Sequence, residues 1–222
     1  MKSIRVAAAA AAAGIALTAC SSPMQAGAAA VVGNERISAS RLNEETRAYS
    51  AALRNAKLPP ELEAALAGRS LEEALEQEQG TPASQRVLRR MAEVSATKQL
   101  LERYNVQVSP SEIEGVLKDP GQYPSAELNL LLGSAAIAPQ NARDYGLAVA
   151  GLAKLRQQFG SGQSGADRLN QELNAVKVVY SPRYGTLNPQ RSQQNPAMFV
   201  DNGRFGKVAE QQQQPPPQQQ QG

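Results

Sequence analysis

Apolar residues recur at the spacing of an α-helix along most of this 222-residue chain, and prolines and glycines cut the recurrence into separate runs. Leu42, Thr46, Tyr49 and Leu53 fall at i, i+4, i+7 and i+11, one face of a 3.6-residue period, with Ser38 or Ser40 as the cap and Pro59-Pro60 as the stop. The stretch Glu61–Glu78 is acidic and carries Leu62, Leu66, Leu71 and Leu75; Gly68 weakens its centre and predicts two short helices. Gly80-Thr81-Pro82 then punctuates the chain, with Thr81 as cap and Pro82 as the first residue of the longest helix, Pro82–Tyr104. Val87, Met91, Val94 and Leu101 mark its buried face, widened by Leu88 and Leu100.

Ser109 and Glu112 have the spacing of a capping box, with Pro110 at the first helical position, and that helix ends near Lys118. Ser125–Ala136 is apolar at Leu128, Leu130, Leu131 and Leu132, with Ile137 just beyond; so continuous a run is either fully buried or part of a partner-binding surface. Pro139–Phe159 carries Tyr145, Val149, Leu152 and Leu155 and stops at Gly160, and Gly162–Asn174 carries Leu169 and Leu173. At the edges of this helical body, Ala28–Val32 and Glu35–Ile37 flank Gly33-Asn34, a hairpin-type turn, and Val176–Tyr180 alternates as a short strand. So few strands are marginal alone, so they are expected to pair and bring the ends of the body together. The order strand, many helices, strand predicts a mainly α domain over residues 28–185, a multi-helix body closed by a small β-hairpin and a terminal strand.

The two ends read differently. Lys2 and Arg5 precede an apolar, alanine-rich block, Val6–Leu17, the layout of a secretory signal. The block is shorter than the roughly 20 residues a spanning helix needs. Leu17-Thr18-Ala19-Cys20 resembles the lipobox of bacterial lipoproteins. That resemblance implies a signal peptide over residues 1–19, cleavage before Cys20 and acylation of the Cys20 thiol. Residues 20–27 would then be a lipidated flexible tether, holding the chain at the outer face of the bacterial cytoplasmic membrane. A single acyl chain anchors only reversibly, at ~0.8 kcal/mol per buried CH₂, so a stable anchor takes more than one. At the other end, residues 186–222 are rich in Gln, Asn, Pro and Arg and finish in Gln211–Gln214, Pro215–Pro217 and Gln218–Gln221, which predicts a mobile tail.

Composition removes several kinds of chemistry. There is no histidine and one cysteine, Cys20. Ser-His-Asp and Cys-His catalysis, His-ligated metal sites and thiolate chemistry in the folded body are therefore not expected. No phosphate-cradling glycine loop is present. Carboxylate pairs stay open, with 18 acidic residues in 21–180, but they are scattered along helix faces. No catalytic residue, metal ligand or cofactor is assigned beyond the covalent lipid on Cys20, and the chain is not expected to be an enzyme. Residues 21–180 hold 17 basic against those 18 acidic residues, so no basic face for nucleic acid is expected. The one basic cluster, Arg86, Arg89 and Arg90, reads as a solvated helix face.

Three markers in order resemble the SurA/PrsA-type chaperones. Ala30-Val31-Val32-Gly33-Asn34-Glu35-Arg36-Ile37-Ser38 followed by Leu42 is similar to their opening hairpin and first helix. Leu100 to Ile113, with Val108-Ser109-Pro110-Ser111-Glu112-Ile113, is similar to their long helix, link and next helix start. Val179-Tyr180-Ser181-Pro182-Arg183-Tyr184-Gly185 resembles the closing strand and turn of the lipoprotein members. The resemblance implies a SurA N-terminal-like chaperone domain. The parvulin isomerase domain that many members carry has no room between Ile113 and Val176, and its histidines are missing. The expected partners are unfolded exported polypeptides and, through the lipid, the membrane. An apolar helical cleft lined by Leu130, Leu131, Leu132 and Tyr145 is expected to hold the polypeptide, while Pro182, Arg183, Tyr184 and Gly185 are expected to be structural. A scaffold lipoprotein with one dedicated cell-envelope partner is the alternative.

Overall fold

The computed structural model describes residues 26–118, 128–160, 162–192 and 195–200. Cys20 and the lipobox-like stretch before it, the Gln/Pro tract and residues 119–127 lie outside the described residues.

The chain opens with β1 (Ala28–Val32) and β2 (Glu35–Ser38), antiparallel about Gly33-Asn34. Gly33 is held at φ +56, a conformation that favours glycine, and a Cβ there would displace the Gln99 side-chain amide. Gln99 sits close because its Nε2 donates to the Val32 carbonyl (2.8 Å). The third strand, β3 (Val178–Tyr180), pairs antiparallel with β1, setting Ala30 opposite Tyr180 and Val32 opposite Val178. The sheet order is therefore β2-β1-β3, with the opening strand in the middle. This joins the two ends of the helical body, as the strand pattern predicts.

Eight helices lie between β2 and β3 among the described residues: α1 (Ala39–Arg54), α2 (Pro60–Leu66), α3 (Leu71–Gln79), α4 (Ala83–Arg103), α5 (Pro110–Lys118), α6 (Leu128–Ser134), α7 (Ala142–Phe159) and α8 (Gly162–Ala175). The fold is mainly helical with a small antiparallel sheet. Ser38 caps α1, its Oγ accepting from the Arg41 amide (3.1 Å). The buried face of α1 is Leu42, Glu45, Tyr49 and Leu53, so Glu45 takes the place expected for Thr46. The acidic stretch does split, at Ala67 and Gly68, both with positive φ, and Ser70 and Glu73 form a capping box for α3. The Ser109–Glu112 box opens α5, with the Ser109 amide donating to Glu112 Oε2 (2.7 Å) and the Glu112 amide to Ser109 Oγ (3.3 Å).

Helix α4 is the axis of the molecule. It packs against α1, α7, α8 and β1, and buries Val87, Leu88, Ala92, Ala96, Leu100 and Leu101. Small residues set the spacing of its neighbours. A Cβ at Gly151 of α7 would lie 2.6 Å from Leu101, and one at Gly146 would lie 3.0 Å from Ile113 of α5.

Three expectations change here. Thr81 is not the cap of α4: Pro82 occupies that position with no side-chain bond, while the fully buried Thr81 hydroxyl donates to the Gln79 carbonyl (2.9 Å) and accepts from the Met198 amide (2.9 Å). The second change explains the first. Residues 186–200, read from composition as part of a mobile tail, return to the body as β4 (Thr186–Leu187) and β5 (Phe199–Val200), paired antiparallel. Met198 and Phe199 are buried, and Phe199 meets the Tyr180 ring edge-to-face at 5.1 Å, so a short apolar triplet outweighs its polar surroundings. Third, Arg86, Arg89 and Arg90 are not a solvated face. Arg86 is 2% exposed and the other two are half-buried.

Candidate functional site

The main open apolar feature is a groove of about 370 Å³ between α4, α7 and the closing strands. Its lining on α4 includes the buried alanines Ala92 and Ala96, whose small side chains leave a depression along the helix. One wall is α7, through Tyr145, Ala148, Val149 and Leu152. These positions stand at i, i+3, i+4 and i+7, so helical spacing places them on one face. The opposite wall is Leu173 of α8, Val178 and Tyr180 of β3, and Leu187 of β4. Val149 is 36% exposed and Leu187 49%, two of the three large apolar side chains most open to solvent among the described residues. The third, Leu128, does not line the groove.

One end of the groove is polar. Arg89 Nε and Arg90 Nη1 hold the two carboxylate oxygens of Glu93 at 2.7 and 2.8 Å. Arg90 Nε donates to the Ala135 carbonyl (2.7 Å), and the Arg90 guanidinium lies 5.8 Å from the centre of the Tyr145 ring. The Tyr180 hydroxyl is pushed up to about 12, first by burial, then by the Glu93 charge, against the opposing pull of Arg89. It therefore stays a neutral donor across the physiological range.

The four residues expected to form a cleft do not come together in one. Tyr145 lines the groove. Leu132 is 1% exposed and belongs to a small core cluster with Ala135 and Ile137, against which Tyr145 also packs. Leu130 and Leu131 are half-buried on α6 and do not line the groove. Helix α6 is fastened to α1, where the Tyr49 hydroxyl donates to the Gly133 carbonyl (2.9 Å). Pro182–Tyr184 forms a single 3-10 turn, and Gly185 follows at φ +85, where a Cβ would lie 2.7 Å from the Val200 carbonyl oxygen. The Tyr184 carbonyl accepts from Gln85 Nε2 (3.0 Å), its ring packs against the main core, and the Arg183 guanidinium lies 6.0 Å from the ring centre.

Sequence reasoning missed Leu187, Leu173 and the Arg89–Arg90–Glu93 end. The signal for Leu187 was available in the isolated apolar triplet Met198-Phe199-Val200, which a solvated tail has no use for.

The other recesses have a different character. Glu35, Arg41, Ser95, Lys98 and Asp144 surround a space of about 40 Å³. Lys98 pairs with Asp144 (2.8 Å), while Glu35 accepts a hydrogen bond from Ser95 and stands 3.7 Å from Arg41, so each acid there has a partner. Burial pushes the Glu45 carboxyl up, and the amides of Asn141 (2.5 Å) and Gln140 (2.8 Å) donate to it. Among the described residues no group of three His, Cys, Asp or Glu could hold a metal ion, and no helix is long and apolar enough to cross a membrane. In comparison with known proteins, the chain matches no family model, no curated protein and no solved structure.

Proposed function

We propose that this chain is a membrane-tethered, extracytoplasmic chaperone-like lipoprotein that binds extended segments of unfolded exported polypeptides in the α4–α7 groove and carries no isomerase activity. The observation that carries this reading is the groove itself: an open apolar trough whose rims expose Val149 and Leu187. Exposed apolar side chains gathered along one depression mark binding surfaces, whereas scattered ones need no explanation. The lipobox at Leu17-Thr18-Ala19-Cys20 supplies the tether, and the SurA/PrsA-like markers supply the chaperone class. Binding needs no nucleotide, because capture of an unfolded chain shifts its equilibrium by mass action.

The fixed Arg89–Glu93–Arg90 cluster at one end favours a second reading, a scaffold lipoprotein with one dedicated partner, since paired charges select a partner more than they add affinity. Light scattering of several unrelated, chemically unfolded proteins diluted into buffer separates the two. The chaperone reading predicts suppression of aggregation near stoichiometric ratios, lost in the double variant Val149→Asp and Leu187→Asp, whose far-ultraviolet dichroism is unchanged. Suppression of none of them contradicts it and leaves the dedicated partner.

A further inference from the structure

We infer that the polar end of the groove is a carboxylate-binding pocket, in which Arg86, Arg90 and Arg191 receive the terminal carboxylate of a peptide lying in the groove. This rests on the groove reading and specifies which part of the peptide is recognised there. A second cavity of about 500 Å³ adjoins the groove, and Arg89, Arg90 and Glu93 line both. Arg86 lines this cavity with its side chain almost wholly buried, and its Nε, Nη1 and Nη2 have no hydrogen-bond partner. A guanidinium does not lose its proton in a protein, so this is a buried, permanent charge without an acceptor. The Tyr49 ring lies 5.5 Å from it, and the Tyr49 hydroxyl, which feels the Arg86 charge, is a neutral neighbour and not a counter-ion.

Neighbouring acids do not answer the charge. Both Glu93 oxygens are already taken, by Arg89 and by Arg90. Arg191, exposed at the opening, uses Nε on the Pro196 carbonyl (3.1 Å) and keeps its two terminal nitrogens uncommitted. The missing group is an anion with two coplanar acceptor oxygens, which a guanidinium fork matches in bidentate fashion. Gln79 and Ser134 complete the lining with Ala135, Ala136 and Met198, and more of the pocket's surface is polar than apolar. A carboxylate, with two acceptor oxygens and one charge, fits such a lining, and the apolar segment that carries it lies in the groove, which shares Arg89, Arg90 and Glu93 with the pocket.

The test is calorimetric titration of the full-length chain carrying Cys20→Ala, so that no lipid is attached. The probes are a short acetylated peptide of alternating serine and leucine with a free C-terminal carboxylate, and the same peptide as its C-terminal amide. The acid form is expected to bind about tenfold tighter, the scale of one charge-assisted bidentate contact. In Arg86→Met that preference disappears, both peptides bind as the amide does to the unaltered chain, and the urea midpoint rises because an unpartnered buried charge is gone. Arg191→Gln, an exposed position that leaves the core untouched, reduces the preference in the same direction. Equal binding of acid and amide overturns the carboxylate pocket while leaving the groove reading intact; binding of neither removes both. Displacement of the acid peptide by inorganic phosphate or by phosphatidylglycerol vesicles at lower concentration than by acetate also overturns it, in favour of a phosphate site.

Discussion

Gly185 shows how one residue closes this molecule. Its φ of +85 with extended ψ belongs to a region that glycine alone occupies without strain, and the Val200 carbonyl fills the space a side chain would need. Gly185→Ala is expected to destabilise the fold by about 1–3 kcal/mol in urea denaturation, with the strain falling where β4 meets β5. Glu112 makes the second residue-scale case. Its carboxylate accepts from Lys154 Nζ (2.7 Å) and from the Ser109 amide, and these contacts, Lys154 first, hold it down at about 2 against an ordinary 4.5. The sign follows from linkage: the folded state favours the ionised form, so the contribution is present above 4.5 and fades as pH falls from there through about 2. Lys154→Met is expected to flatten that part of the stability–pH curve, followed by urea midpoints across the same window. An unchanged slope would show that the contact makes no difference to folding.

At the scale of elements, the starts and stops were the most legible part of the chain. Ser109, Pro110 and Glu112 announce α5, and the structure places each of them in that role, because a capping box is a local device that needs no tertiary context. Ser109→Ala is expected to cost about 1 kcal/mol, measurable by thermal melting. Thr81 was misread for the opposite reason. Its sequence neighbours suit a cap, but the hydroxyl is claimed by the Met198 amide, 117 positions away. The stripe Tyr145, Val149, Leu152 and Leu155 shows a third limit. Periodicity puts these residues on one side of α7, yet Leu155 is fully buried in the main core while Val149 is open in the groove. Helical spacing reports which residues share a face and not what lies opposite them. The β4–β5 pair yields the sharpest element-level prediction. Phe199→Ala is expected to destabilise by about 3 kcal/mol, through loss of its edge-to-face contact with Tyr180 and its burial. A solvated tail would register no change.

At the scale of the molecule, the opening hairpin and the closing strand pair in one sheet, so β1 at the start and β3–β5 at the end frame the helical body. The α4–α7 groove lies against that frame: Val178, Tyr180 and Leu187 come from the closing strands, and Tyr145, Val149 and Leu152 from α7. The mainly helical class and the joined ends followed from pattern alone, while the groove did not, since it is made by elements that meet only in the folded chain. The proposed tether also belongs to this scale. Cys20→Ser is expected to shift the chain from the membrane fraction toward the soluble exported fraction, because it removes the proposed site of acylation.

The central claim, that the α4–α7 groove is where client polypeptide binds, is tested most directly by site-specific photo-crosslinking. A benzophenone amino acid is placed in turn at Val149, at Leu187 and at Leu128, the last being comparably exposed but outside the groove. Each variant is then irradiated with a chemically unfolded client. The account predicts crosslinked adducts from positions 149 and 187 and little from 128; equal yields at all three positions would contradict it, showing contact with any exposed apolar side chain and not with a groove.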